Sequence, residues 1–85
     1  MPEEASTEKE IEAYIRQVIS QIGEVDMSNV DAEQPFRDLG LDSMTALEIM
    51  AAVEGRYKIE LQEKDVLRFK NIKDTVQIIA DYLRR

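Results

Sequence analysis

Cysteine and histidine are both absent from the 85 residues of this chain. Their absence excludes disulfide bonds, Cys/His zinc sites and every catalytic dyad or triad that needs a histidine base or a cysteine nucleophile. Glycine occurs only three times, at positions 23, 40 and 55. Isolated glycines of this kind cannot form a phosphate-binding loop or a dinucleotide-binding fingerprint. The sequence therefore predicts a protein that is not an enzyme and has no metal site of its own.

Basic residues are also few, since 11 Lys and Arg stand against 18 Asp and Glu and give a net charge of −7. Nucleic-acid binding requires clustered positive charge to neutralise phosphates, so nucleic acid is not an expected partner. The acidic excess is uneven: residues 1–54 carry 3 basic and 13 acidic side chains, whereas residues 55–85 carry 8 basic and 5 acidic ones. A solvated acidic face and a surface that attracts basic partners would both produce this pattern.

Long apolar runs are absent as well, and no stretch approaches the roughly 20 residues of a membrane-spanning helix. Residues 1–6 are acidic and lack the apolar centre of a secretory signal. We therefore expect a cytoplasmic protein without stable membrane insertion. Because 44% of the residues are hydrophobic, the chain is too apolar to be disordered. We predict one monomeric domain over residues 1–85, with residues 1–6 as a flexible tail.

The first helix is marked by Thr7 and Glu10, which have the spacing of a capping box. Gly23 is suited to be the left-handed residue that ends this helix. Between these points, apolar residues recur with the spacing of one helical face: Ile11, Tyr14, Ile15, Val18, Ile19 and Ile22. Residues 24–42 lack helical periodicity and contain Pro35, so they predict a long connection, pinned across the bundle by its apolar residues.

The second helix is predicted to run from Asp42 or Ser43 to about Arg56, and it has two apolar stripes instead of one. The predicted core face consists of Ala46, Ile49, Met50, Val53 and Tyr57. The other stripe, roughly 140° around the helix, is called the outer stripe and consists of Met44, Leu47 and Ala51, with Glu48 and Glu54 beside it. Either this helix is central and packs on both sides, or the outer stripe binds partner proteins.

The last third of the chain predicts a short helical piece and a final helix. The short piece lies within residues 59–70, and Asn71 has the position of an N-cap for the last helix. The buried stripe of that helix is expected to be Ile72, Val76, Ile79, Ala80 and Leu83. The expected fold is all-α: a small four-helix bundle of three main helices and a short third helix, with a long loop between helices 1 and 2.

Ser43 stands at the predicted start of the second helix, directly after Asp42. A serine in this position is usually only a cap, and without any histidine it has no evident base for nucleophilic catalysis, which disfavours a hydrolase. A phosphate ester on Ser43 would, however, lie against backbone N–H groups and the positive end of the helix dipole. Ser43 is therefore predicted to be a residue that another enzyme modifies.

This region resembles the modification site of acyl carrier proteins, whose usual motif is Asp-Ser-Leu. The matching segment is Phe36-Arg37-Asp38-Leu39-Gly40-Leu41-Asp42-Ser43-Met44, followed by Leu47-Glu48. The order of helices and loops resembles that family over nearly the whole chain. The resemblance implies that a phosphopantetheinyl transferase attaches 4′-phosphopantetheine from coenzyme A to the Ser43 hydroxyl. It also implies that the thiol of this arm carries acyl groups as thioesters.

The resemblance further assigns roles to the neighbours of Ser43. Asp42 would assist recognition by the transferase. Acyl-transferring, condensing or ligase enzymes would dock on Met44, Leu47, Glu48, Ala51 and Glu54, and catalysis would belong to those enzymes. An acyl chain that enters the bundle would be lined by residues that are equally compatible with an ordinary core: Ile49, Met50, Val53, Leu61, Phe69 and Ile72.

The sequence departs from the acyl carrier pattern in three places. Met44 replaces the usual leucine, which is a conservative exchange. Gly55 and Arg56 stand where fatty-acid carriers place further acidic residues, and Lys64 and Arg68 give the third helix a mixed charge. These differences favour a carrier dedicated to a specialised lipid or polyketide pathway at least as much as a fatty-acid carrier. A D-alanyl or peptidyl carrier, or an unmodified acidic adaptor that binds a basic partner through helix 2, is the alternative.

Overall fold

The computed structural model describes the backbone of residues 3–84 and the side chains of residues 7–84. Its elements in chain order are α1 (Glu3–Gly23), a 3₁₀ helix (Phe36–Leu39), α2 (Ser43–Tyr57), α3 (Glu63–Val66) and α4 (Ile72–Arg84). The described residues form no strand, which confirms the predicted all-α fold with three main helices and a short third one. Among the same residues, no helix combines the length and apolar character needed to cross a membrane.

The core lies between α1, α2 and α4, and α1 packs against both of the other long helices. The apolar ladder of α1 faces this core as predicted: Ile11, Ile15, Val18 and Ile19 are buried, and Tyr14 and Ile22 are partly buried. The predicted stripe of α4 is also confirmed, because Ile72, Val76, Ile79 and Ala80 are buried and Leu83 is partly buried. The 3.6-residue periodicity of the sequence therefore identified the faces that meet.

The long connection between α1 and α2 is fixed to the bundle at both ends, as predicted. The guanidinium of Arg16 on α1 donates to the carbonyl oxygens of Met27 at 2.6 Å and Val30 at 2.7 Å. Further along, the N–H of Lys73 on α4 donates to the carbonyl of Ala32 at 2.9 Å. Met27 is buried, so the connection adds to the core as well as closing the chain.

Both predicted ends of α1 differ from the structure. The helix begins at Glu3, so residues 3–6 of the expected tail are helical, and Thr7 is not an N-cap because strong helix formers precede it. Residues 1 and 2 lie outside the described residues. At the other end the left-handed residue is Glu24 (φ 53°), while Gly23 is still helical. Gly23 serves close packing instead, since a Cβ there would lie 3.1 Å from Leu41 Cδ2.

The short helix α3 is held against α4 by the buried carboxylate of Asp65. This carboxylate accepts hydrogen bonds from the Tyr82 hydroxyl on α4 and, at 3.2 Å, from the backbone N–H of Gln62. The hydrogen bond from Tyr82 is the main cause that lowers the pKa of Asp65, and it outweighs the opposing effect of burial. The bond from Gln62 and the charges of Lys64 and Arg68 lower this pKa further.

Tyr82→Phe is expected to lower the free energy of unfolding by about 1–3 kcal/mol, because it removes a hydrogen bond to a buried charged acceptor. It should also reduce acid sensitivity. Since the pKa of Asp65 is depressed on folding, its stabilising effect is present above the unfolded value of 3.8 and is lost as the pH falls through the folded value. Urea unfolding at neutral pH and well below pH 3.8 measures both effects.

The matched control is Asp81→Asn, which removes an exposed carboxylate of α4 and should change stability by less than about 1 kcal/mol. Wild type and Tyr82→Phe should lose different amounts of free energy between the two pH values. Equal losses would show that the hydrogen bond from Tyr82 does not set the acid response of Asp65.

The two faces of α2 divide between core and surface. The predicted core face is buried or partly buried throughout: Ala46, Ile49, Met50, Val53 and Tyr57. In the outer stripe, Met44 is 60% exposed, Leu47 is 45% exposed and Ala51 is exposed. The hypothesis that α2 packs on both sides is therefore wrong, and the outer stripe lies on the surface.

Leu47→Asp is expected to lower the free energy of unfolding by less than about 1 kcal/mol, because this side chain already meets solvent. The matched substitution Ile49→Asp places a charge at a fully buried position of the same helix and should cost more than about 4 kcal/mol. Helical circular dichroism and thermal unfolding of both variants make the comparison. Unfolding of Leu47→Asp would show that the outer stripe belongs to the core.

Candidate functional site

Ser43 is the first residue of α2, and its side chain is exposed. The capping role belongs to Asp42, whose carboxylate accepts hydrogen bonds from the backbone N–H of Thr45 at 3.2 Å and from the Thr45 hydroxyl at 3.4 Å. Among the described residues, the Ser43 hydroxyl has no hydrogen-bond partner. The interpretation of Ser43 as a simple cap is therefore wrong, and its hydroxyl is available to a visiting molecule.

The turn before α2 fixes the position at which this helix begins. Phe36 is buried and anchors the 3₁₀ helix in the core. The N–H of Leu41 donates to the Phe36 carbonyl at 3.1 Å, and the N–H of Gly40 donates to the Arg37 carbonyl at 3.1 Å. Gly40 has φ 79°, a left-handed conformation that a side chain would strain, although a Cβ there would meet no neighbour. The start of α2 is thus held by backbone geometry rather than by a flexible loop.

A groove of about 560 Å³ opens beside Ser43. Its walls come from the 3₁₀ helix, the start of α2, the end of α3 and the segment that leads into α4. The apolar part of the lining consists of Phe36, Leu41, Ala46, Val66, Leu67 and Phe69. An elongated, partly apolar group attached to the serine would have room to lie in this groove.

The residues predicted to line an acyl pocket mostly lie elsewhere. Phe69 is the member of that set that lines the groove. The others lie in the core or pack against it: Ile49, Val53, Leu61 and Ile72 are buried, and Met50 is partly buried. Entry of an acyl chain among these core residues stays a prediction.

The predicted acyl-pocket set missed five apolar residues of the groove, namely Phe36, Leu41, Ala46, Val66 and Leu67. Helical periodicity identifies residues that share one face of one helix, whereas this groove forms where four separate segments meet. Leu67 offered the best signal in the sequence that an apolar side chain lies outside the core. It directly follows the core residue Val66, and consecutive residues of a helix point in different directions. In the structure Leu67 is 79% exposed.

The predicted docking residues on α2 do not all have the same environment. Met44, Leu47, Glu48 and Ala51 are exposed, so they form a continuous surface next to Ser43. Glu54 is half-buried, and its carboxylate accepts a hydrogen bond from the backbone N–H of Leu61 at 2.9 Å. Glu54 therefore holds the segment after α2 in place and is less free to meet a partner than the other four.

Arg56, where the sequence departs from the fatty-acid carrier pattern, has a structural role. Its guanidinium carbon lies 4.6 Å from the ring centroid of Tyr14 and 5.8 Å from that of Tyr57. The two rings meet edge to face with centroids 6.0 Å apart. A cation over aromatic faces is stabilised by their quadrupoles. Arg56 thus joins the end of α2 to α1, away from Ser43 at the other end of α2.

Comparison with known proteins agrees with this geometry. The family model described as "Phosphopantetheine attachment site" matches residues 13–79. "Acyl carrier protein 3" of Ralstonia nicotianae is 35% identical over 66 residues, which cover 76% of each chain.

Two solved structures share the fold. The acyl carrier protein of Thermotoga maritima superposes with a TM-score of 0.81 at 22% identity and covers 92% of each chain. A free-standing peptidyl carrier protein from Acinetobacter baumannii superposes with a TM-score of 0.79 at 25% identity, covering 89% of this chain and 95% of that one. Since the family model and the Ralstonia relative each match most of the chain, this protein belongs to the phosphopantetheine-attachment family of acyl and peptidyl carrier proteins, which are not catalysts.

Proposed function

We propose that Ser43 is the attachment residue of this carrier and that a phosphopantetheinyl transferase modifies it. The observation that carries the proposal is the exposed, unbonded hydroxyl of Ser43 beside a helix cap that Asp42 supplies. In the transfer, the Ser43 oxygen forms a bond to the phosphorus that carries the pantetheine in coenzyme A. The bond from that phosphorus to the bridging oxygen breaks, adenosine 3′,5′-bisphosphate leaves, and the hydroxyl proton passes to solvent or to a base of the transferase.

The surroundings of Ser43 fit a phosphopantetheine arm. The hydroxyl faces solvent, and the adjacent groove of about 560 Å³ offers both apolar and polar lining. When bound, the arm supplies a thiol for thioester formation, a group that this sequence, which has no cysteine, does not contain. The chain itself contributes the attachment oxygen, the rigid start of α2 and the surface that partner enzymes meet.

Partner docking is proposed to use Met44, Leu47, Glu48 and Ala51. These side chains are exposed and lie on the helix that begins with Ser43, so an enzyme that binds them is brought close to the arm. Glu48 and the acidic first part of the chain would attract a basic partner surface and accelerate association at low salt. The transferase and the acyl-transferring, condensing or ligase enzymes that handle the cargo are the expected partners, in the cytoplasm.

The direct test is incubation with a broad-specificity phosphopantetheinyl transferase and coenzyme A, followed by intact-protein mass spectrometry. The wild type should gain the mass of one phosphopantetheine, and Ser43→Ala should gain nothing. Ser20→Ala, which removes an exposed hydroxyl from α1, is the matched control and should be modified normally. A folded wild type that gains no mass while the transferase modifies a known carrier would favour the unmodified adaptor.

Asp42 is proposed to act both as the cap of α2 and in recognition by the transferase, and two substitutions separate these roles. Asp42→Ala should lower the free energy of unfolding by about 0.5–2 kcal/mol, because it removes the cap. Asp42→Asn keeps an accepting oxygen and should leave stability nearly unchanged, yet lower kcat/KM of the transferase by loss of the charge. Thermal unfolding and transferase kinetics measure the two effects. Normal kinetics with Asp42→Asn would assign this residue to capping alone.

A further inference from the structure

Two positively charged side chains, Arg37 and Lys70, line the groove beside Ser43. Both are exposed, and neither forms an ion pair with any residue that the structure describes. Some other cations find partners, since Arg16 lies 3.0 Å from Glu12 and Lys73 lies 3.9 Å from Glu33. Lys9, Lys58 and Lys64 also form no ion pair with a described residue, but they do not line this groove. The groove thus holds two positive charges that the fold itself does not neutralise.

The backbone segments that carry these two cations are hydrogen-bonded to each other. The N–H of Phe36, the residue before Arg37, donates to the carbonyl of Lys70 at 2.8 Å. The N–H of Gly40 donates to the carbonyl of Arg37, which fixes the 3₁₀ helix that carries it. Both cations therefore lie on segments that are fixed to each other along the groove that also contains Ser43.

Two carboxylates, those of Asp42 and Asp74, also line the groove. Asp42 uses its carboxylate to cap α2, and Asp74 lies in the first turn of α4. Neither is paired with Arg37 or Lys70. An anion attached to Ser43 would therefore meet the two cations without displacing an existing ion pair.

We propose that Arg37 and Lys70 bind the phosphodiester of the arm on Ser43 and hold the first part of the arm along the groove. This inference rests on the proposed attachment at Ser43. A phosphodiester carries one negative charge, and hydrogen bonds from Arg and Lys to phosphate oxygens are assisted by that charge. The dimethyl-substituted carbon that follows the phosphate in pantetheine then meets the apolar lining at Ala46, Leu67 and Phe69. Arg37 and Lys70 are positioning residues, and the chemistry belongs to partner enzymes.

The test uses the full chain after loading with phosphopantetheine and reads the arm by NMR. In the wild type, nuclear Overhauser effects should connect the arm's methyl protons with side chains of the groove, and the phosphorus chemical shift should differ from that of the loaded double variant Arg37→Gln/Lys70→Gln. The double variant Arg37→Gln/Lys70→Gln should lose these contacts. The control Lys9→Gln/Lys58→Gln removes two exposed charges that do not line the groove and should keep them.

Salt supplies a second measurement, because the Debye length falls from about 30 Å at 0.01 M to about 3 Å at 1 M. The arm contacts of the wild type should weaken over this range, while those of the double variant should be absent throughout. Arm contacts that persist in Arg37→Gln/Lys70→Gln, or a mobile arm in every variant, would overturn the inference. Absence of any mass gain on Ser43 would overturn the proposed function as well, so the two failures are distinguishable.

Discussion

The hydrogen bond between the Asp42 carboxylate and the N–H of Thr45 decides which side chain at the start of α2 is free. A helix leaves its first N–H groups without intrahelical partners, and the side-chain oxygen of a capping residue satisfies one of them. If Ser43 supplied that oxygen, its hydroxyl would be turned into the helix end. Because Asp42 supplies it, Ser43 becomes the first helical residue and points its hydroxyl to solvent. The order Asp-Ser, and not merely the presence of a serine, makes this position suitable for modification.

That arrangement works only because α2 is held rigidly on its other side. Ile49 and Val53 have no exposed surface, and their helix packs against α1. The opposite face carries Met44 and Leu47 at 60% and 45% exposure, which a single packed face would not require. One helix therefore combines a buried face that sets its position with an exposed face that is available for the proposed docking of partners. Changes on the surface face can alter recognition without altering the fold.

The sequence predicted features that depend on residues within one segment. It failed for features that depend on contacts between separate segments. Periodicity identified the buried faces of α1, α2 and α4, and the cap Asn71 was assigned correctly, since its side chain accepts from the N–H of Asp74. The sequence left the start of α2 open between Asp42 and Ser43, and the structure gives the capping role to Asp42. The predicted role of Gly23 as the left-handed residue was wrong. A glycine at this position leaves room for the side chain of Leu41, which belongs to another segment. The groove beside Ser43 escaped prediction for the same reason, since no single helix contains it. The exposure of the outer stripe, on which the proposed docking surface rests, was nevertheless predictable, because this stripe lies on one helix and follows its spacing.

The placement of charged side chains constrains partner binding in a way that the fold shared with other carrier proteins does not. Some cations of α1 and α4 form structural contacts: Arg16 holds the long connection, and Arg84 lies 2.7 Å from Glu8. At the end of α2, Arg56 lies over tyrosine rings instead of joining a docking surface. Arg37 and Lys70, which form no ion pair with a described residue, line the groove beside Ser43. A partner that approaches Ser43 therefore meets Glu48 on α2 and side chains of both charge signs in the groove, so docking depends on how the partner's charges are arranged and not only on their sum.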